Sequence, residues 1–305
     1  MKTLVKYIRS YFSEIDKKVL LLTSLLTGVL IFLNYYYNMD GRINDHSFYV
    51  AFFYRYCIFF AAFAIPYFFY WSISGNNFQT DKNFLLLFCF APAIFSLKMV
   101  LNTNLSISND PAWNDYWNHV LYWPLLLILT VSILFMIWKS SDKDSPFFGV
   151  TFRNFQWKPY FILLLIMVPL IALASTQPDF LAMYPKLKVI SGANTEMQFD
   201  WWHKLLFELS YGSDFFTIEL FFRGFLVLAF VKWFGKDAIL PMACFYCTIH
   251  FGKPIGECIS SYFGGMILGI VVYNTRSIFG GLIVHLGIAW MMEIGGYLGN
   301  AFLGK

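Results

Sequence analysis

The sequence predicts an all-α, polytopic transmembrane helical bundle of about eight to nine spans. Three observations predict it. Of the 305 residues, 58% are hydrophobic and only 13% are charged, where soluble domains carry roughly 25% charged residues. Mean hydropathy is +0.58, and apolar runs of membrane length recur from end to end. No water-soluble core of this size hides so much apolar surface. The net charge of +4 is small and dispersed, which excludes nucleic acid as a partner class and leaves the lipid bilayer.

Residues 1–18 place Leu4, Ile8, Tyr11, Phe12 and Ile15 at helical spacing among Lys2, Lys6, Arg9, Lys17 and Lys18. That pattern predicts a basic amphipathic helix at a membrane surface. The apolar run after it ends without a small-residue cleavage site and is expected to be retained. Spans are expected over 19–37, 48–72, 83–101, 119–138, 158–175, 214–234, 237–251, 256–273 and 280–299. Most meet the ~20 residues that a ~30 Å hydrocarbon layer requires, whereas 237–251 is short. Residues 176–213, with Trp201, Trp202 and Phe207, predict an interfacial connection into the sixth span. The expected organisation is therefore an interfacial helix (1–18), scaffold spans (19–175), a connection (176–213) and a chemically richer core (214–305).

Lys and Arg cluster before the first span, in the 139–158 loop and around Lys232 and Lys236. Loops 38–47 and 102–118 hold more Asp than Lys or Arg. The positive-inside rule then predicts a cytoplasmic N-terminus, and the overall appearance leans to a bacterial inner membrane. The five cysteines are odd in number and fall in or beside apolar segments, so packing is the plain expectation for them. Cys244-x-x-Cys247 lacks the strand context of a thioredoxin-type pair.

An ionisable residue inside a span costs roughly 2.5–3.5 kcal/mol on insertion scales, and by default it faces the bundle interior. Up to residue 175 only Arg55 stands well inside a span, with Lys98 near an end. Beyond residue 213 such groups crowd together: Glu219, Arg223, His250, Lys253, Glu257, His285 and Glu293. The front of the chain reads as scaffold and the back as a site.

Glu219 and Arg223 are four residues apart with the acid first, the favourable order for a helical ion pair. Mutual neutralisation is their plain reading. His250 and His285 lie on two other spans. A lone histidine in a span is commonly a packed hydrogen-bonder, but two, with a buried acid on a third span, can meet around one water or one metal. Neither an HExxH helix nor a GxSxG elbow is present. Pro254 disfavours helix at Lys253, so a break is expected between His250 and Pro254. Glu257 then falls in the first turn of the next helix, either as a favourable acid at a helix N-terminus or folded back toward His250. Glu293 follows His285 by two turns, about 80° around the axis.

These residues resemble three motifs of the CPBP family of glutamic-type intramembrane proteases. That family includes the CAAX-processing endopeptidases of prenylated proteins and bacteriocin-processing or immunity proteins. Its motifs run E-E-x-x-x-R, F-x-x-x-H and H-x-x-x-N/D. "IELFFRGFL" aligns with the first, with Ile218 on the first glutamate, Glu219 on the second and Arg223 on the arginine. "YCTIH" aligns with the second through Tyr246 and His250. "HLGIA" aligns with the third through His285, with Ala289 where Asn or Asp is usual. The flanking "TRSIFGGLIVH" is also similar to the family.

The resemblance implies an intramembrane endopeptidase acting on a membrane-associated peptide or protein. Glu219 or Glu257 would deprotonate a water held by His250, and a histidine or Arg223 would stabilise the oxyanion, with His285 helping to hold the site. Ile218 departs from the pattern at the usual base. Neighbouring helical residues project about 100° apart, so Glu219 takes over that role only if the helix rotates or unwinds there. No cofactor is required by this scheme; a divalent metal such as zinc, on His250, His285 and Glu219 or Glu257, is the open variant. The alternative function is a proteolytically inactive relative that binds a membrane peptide as a scaffold or immunity factor. A small proton-coupled transporter is a third, opposed by the absence of repeated halves.

Overall fold

A backbone in lipid must satisfy its own hydrogen bonds, and a single apolar run can do so only as a helix. The computed structural model describes residues 2–73, 81–141, 146–153, 155, 157–190 and 199–303, and among these there is no strand. The helices are α1 (Lys2–Glu14), α2 (Lys17–Tyr37), α3 (Met39–Asn44), α4 (Phe48–Ile73), α5 (Lys82–Val100), α6 (Pro111–Ser141) and α7 (Trp157–Ala174). They continue with α8 (Pro178–Met183), α9 (Lys186–Ile190), α10 (Trp201–Glu219), α11 (Val231–Phe234), α12 (Ile239–Thr248), α13 (Ile255–Thr275) and α14 (Phe279–Leu303). Seven of them, α2, α4, α5, α6, α7, α13 and α14, are long and apolar enough to cross a membrane. The chain is an integral membrane protein.

Two expected spans take other forms. The 214–234 run is divided: α10 ends at Glu219, and Leu220–Ala229 follow as a wide-turn π helix. The 237–251 run yields only the ten residues of α12. Ten helical residues rise about 15 Å, half of the hydrocarbon layer. All ten are buried, as expected of a short helix that is apolar all round and enclosed by protein.

The chain forms two compact units. The first comprises Met1–Leu101, Ser140–Phe155 and Leu220–Ile278, with α12 packed against α2, α4 and α13. Its core is aromatic: Phe245 lies 5.0 Å from Phe59 and 5.2 Å from Phe222, and Phe95 lies 4.9 Å from Phe222 between ring centroids. Asp16 caps α2, its carboxylate accepting from the amides of Lys18 and Val19, a standard N-terminal satisfaction of unpaired donors. The amphipathic α1 buries Leu4 and Tyr11, with Ile15 buried just past its end, and packs on α13, while Glu14 pairs with Lys236 at 2.6 Å.

The second unit comprises Asn102–Lys139, Gln156–Glu219 and Phe279–Lys305. Here α14 packs on α7, α8 and α10. The core gathers Tyr116, Val120 and Trp123 of α6, Phe207, Tyr211 and Phe215 of α10, and Ala289 of α14. The α8–α9 connection is short helices rather than irregular chain.

Candidate functional site

Within the second unit, α10 and α14 bring together the third-motif histidine and the retained first-motif acid. Glu219 is fully buried, and its Oε1 lies 3.0 Å from Nδ1 of His285, which is 14% exposed at the side chain. A carboxylate only accepts, so Nδ1 carries the proton and the imidazole lone pair falls on Nε2. Phe215, one turn before Glu219 on α10, sets its ring edge-on to His285 with centroids 4.8 Å apart. Residues four apart share a helix face, and so one face of α10 supplies both the charge partner and the wall for this imidazole.

The contact needs a glycine. A Cβ at Gly281 would collide with Oε2 of Glu219. Gly281 precedes His285 by one turn, so the carboxylate lies across both positions of α14. In "FGGLIVH" the sequence signal for this contact is a glycine four residues before a histidine, on one helix face.

Ile218, at the position of the usual base, is half-buried, while its neighbour Glu219 is the fully buried one. The helix widens immediately after Glu219, at the place where rotation or unwinding was the condition for Glu219 to serve. Single π turns recur at functional sites because they redirect side chains without ending the helix. Ala289, at the expected Asn or Asp, is buried in the aromatic core with Tyr211 and Phe215, an environment with no use for a polar side chain. Glu293 is also buried, and its Oε2 accepts from the amide of Lys186 at 2.8 Å, anchoring the start of α9.

Within the first unit, Arg223 projects from the π helix, and its Cζ stands 3.9 Å from the ring centroid of Tyr246. The same ring meets His250 edge-on at 4.7 Å. The aromatic of the second motif is thus a common wall for the motif arginine and the motif histidine, and a buried guanidinium on an aromatic face gains ≈2 kcal/mol or more when desolvated. Nδ1 of His250 lies 3.0 Å from the carbonyl of Tyr246. The carbonyl again fixes the proton on Nδ1 and the lone pair on Nε2.

The break comes two residues earlier than expected, so His250 lies within it and not on the helix. Helix α12 stops at Thr248, residues 249–253 turn, and α13 begins after Pro254. Glu257 sits in the first turn of α13, with Oε1 3.5 Å from Nζ of Lys253. The salt bridge spans the proline. Among the described residues, no three His, Cys, Asp or Glu side chains group as metal ligands.

Residues 204–291 match the family model described as type II CAAX prenyl endopeptidase Rce1-like. That span contains all three motifs and bears out the resemblance drawn from them, and it supports a CAAX-protease type of fold for this part of the chain. No curated protein and no solved structure matches the chain.

Proposed function

We propose that this protein is an intramembrane endopeptidase that hydrolyses a peptide bond of a membrane-associated peptide or protein. The observation that carries the reading is the fully buried Glu219 held against His285, inside a segment similar to a prenyl endopeptidase family. With Nδ1–H donated to the carboxylate, Nε2 of His285 is the atom that takes a proton from water. Glu219 fixes the tautomer and stabilises the imidazolium that results, as an orienting acid does in hydrolytic triads. The hydroxide adds to the substrate carbonyl carbon, and the same proton then passes to the leaving amine as the C–N bond breaks. The family resemblance alone implies a water-holding role for His250 and oxyanion stabilisation by Arg223.

The second reading, an inactive peptide-binding scaffold or immunity factor, is favoured by two specific observations. Ile218 replaces one motif acid, and Ala289 has become part of an aromatic core. One assay separates the two. Purified protein is incubated with membrane-tethered peptides beside the Glu219→Gln, His250→Ala and Glu257→Gln variants. Cleavage by the wild type that is lost in Glu219→Gln and His250→Ala supports the enzyme. Peptide binding with no cleavage in any form supports the scaffold, and cleavage untouched by both variants overturns the assigned residues.

A further inference from the structure

The turn that carries His250 is held from outside the motif region. Its chain closes on itself through the Lys253 amide donating to the His250 carbonyl at 3.0 Å. Two further carbonyls of the turn are taken by α2. Nδ2 of Asn34 donates to the Phe251 carbonyl at 2.9 Å, and the Tyr35 hydroxyl donates to the Lys253 carbonyl at 2.5 Å. Asn34 is itself fixed, its Oδ1 accepting from the Asp40 amide at 3.1 Å. Asp40 accepts from Nη1 of Arg55 at 3.0 Å, while Nη2 of Arg55 donates to Oδ1 of Asn44 at 2.6 Å. Gly252 admits the same carboxylate: a Cβ there would stand 2.7 Å from Oδ2 of Asp40.

Every link lies in the first unit, and the chain of contacts runs from α4 through α3 and α2 to the turn. A buried arginine in a span is costly unless something repays it. Arg55 is 5% exposed and uses its two terminal nitrogens on two different residues, the fork geometry that a lysine cannot reproduce. Both residues lie in the short α3, next to the only groups of α2 that grip the turn in this chain of contacts.

We propose that Arg55, Asp40, Asn34 and Tyr35 are positioning residues that set the orientation of the His250 imidazole for the reaction. The front spans thereby belong to the catalytic apparatus, where the sequence had marked them as scaffold. For its consequence on cleavage this inference rests on the endopeptidase reading; for the orientation of His250 it does not. A displacement of about 1 Å at a reacting group costs on the order of 100-fold in rate, so supports at Phe251 and Lys253, one and three residues from the histidine, have the leverage required.

The test uses full-length protein in detergent micelles with ¹⁵N-labelled histidine, and reads ring-nitrogen NMR signals and cleavage of a membrane-tethered peptide in the same samples. The expected result for Arg55→Gln and Asn34→Ala is a shifted His250 ring signal with the His285 signal unchanged. kcat falls about 10- to 100-fold at nearly constant KM, and the pH profile moves. The double variant is no worse than the stronger single one, because residues in one network are not additive. Arg55→Lys keeps the charge toward Asp40 but loses the second nitrogen, and gives an intermediate loss; it also serves if Arg55→Gln fails to fold.

An unshifted His250 signal in folded Arg55→Lys and Asn34→Ala overturns the positioning role, whatever the activity. A shifted signal in a wild-type background that cleaves no peptide keeps the positioning role and removes the endopeptidase reading instead. Equal losses of the His250 and His285 signals mean general destabilisation and also overturn the proposal.

Discussion

Glu219 and Glu257 are both carboxylates of the segment that holds the motif histidines, yet the protein holds them in opposite ways. Glu219 is fully buried with an imidazole 3.0 Å away. Glu257 keeps 19% of its side chain exposed and faces an ammonium at 3.5 Å, itself 25% exposed. A lysine partner stabilises a charge and nothing more. A histidine partner shares a proton, and its remaining nitrogen is then set up to exchange another with water. Partial exposure also weakens the Glu257 pair, since ion pairs in contact with solvent contribute at most ~1 kcal/mol. On the endopeptidase reading, the comparison favours Glu219 for the chemistry and Glu257 for local stability, although the sequence pattern alone left the two acids as rivals for one role.

The widest separation is expected in activity. Glu219→Gln should lower peptide cleavage by about 100- to 10,000-fold, the usual worth of a positioned acid–base group, while the fold persists because the amide oxygen still accepts from Nδ1 of His285. Glu257→Gln should change the rate by less than about fivefold, in line with the small worth of its pair. Matched cleavage kinetics on the two variants check this; comparable losses in both would break the distinction.

Glycines beside the two acids give the next test. A methyl at Gly281 would displace the Glu219 carboxylate, so Gly281→Ala should cost on the order of 100-fold in cleavage. Gly256 immediately precedes Glu257, and a Cβ there meets nothing within 4 Å. Gly256→Ala should leave cleavage unchanged and raise stability by about 0.5–1 kcal/mol, through the better helix propensity of alanine. Thermal denaturation in detergent, run beside the kinetics, reads both.

What the sequence disclosed follows from how local each feature is. The long helices were legible because ~20 consecutive apolar residues admit only one backbone solution in lipid. A break before Pro254 was legible, since proline acts on the residue before it, but its start at Ile249, ahead of His250, was not. The Glu219–His285 contact joins residues 66 positions apart, and no periodicity encodes that. The motif order suggested their association, but the glycine that permits it was visible only once the carboxylate had a position. The division of the 214–234 run at Glu219 was equally hidden, because a π helix and an α helix share one apolar composition. Arg55 is an anomaly of the front spans in the sequence itself. Its purpose depended on α3, six residues in what had read as a loop.

Ala289 extends the comparison to a position where the polar group itself is gone. It sits among Tyr211, Phe215 and Phe207, so the family's Asn cannot simply be restored. Ala289→Asn should bury an amide with too few partners at a cost of about 1–3 kcal/mol, lowering the midpoint of thermal unfolding by several degrees without raising cleavage. A gain in cleavage would instead show that the third motif retains a seat for a polar side chain, and would move His285 from a dyad with Glu219 toward a triad.

The smallest effect concerns a third acid, Asp237, in the turn before α12 and outside the seven long helices. Burial pushes its carboxyl from 3.8 up to about 6, opposed by the neighbouring Lys236 charge. A carboxyl raised on folding holds its proton more tightly in the folded state, so its contribution to stability is full below about pH 3.8 and is lost as the pH rises through about 6. Unfolding midpoints of the wild type in detergent should therefore decline across that window relative to Asp237→Asn, whose amide does not titrate. Glu257→Gln leaves Asp237 in place and should keep the wild-type decline across the same window. Parallel curves for wild type and Asp237→Asn would mean that water reaches Asp237, and that seclusion from solvent does not separate the acids of this protein as the contrast between Glu219 and Glu257 requires.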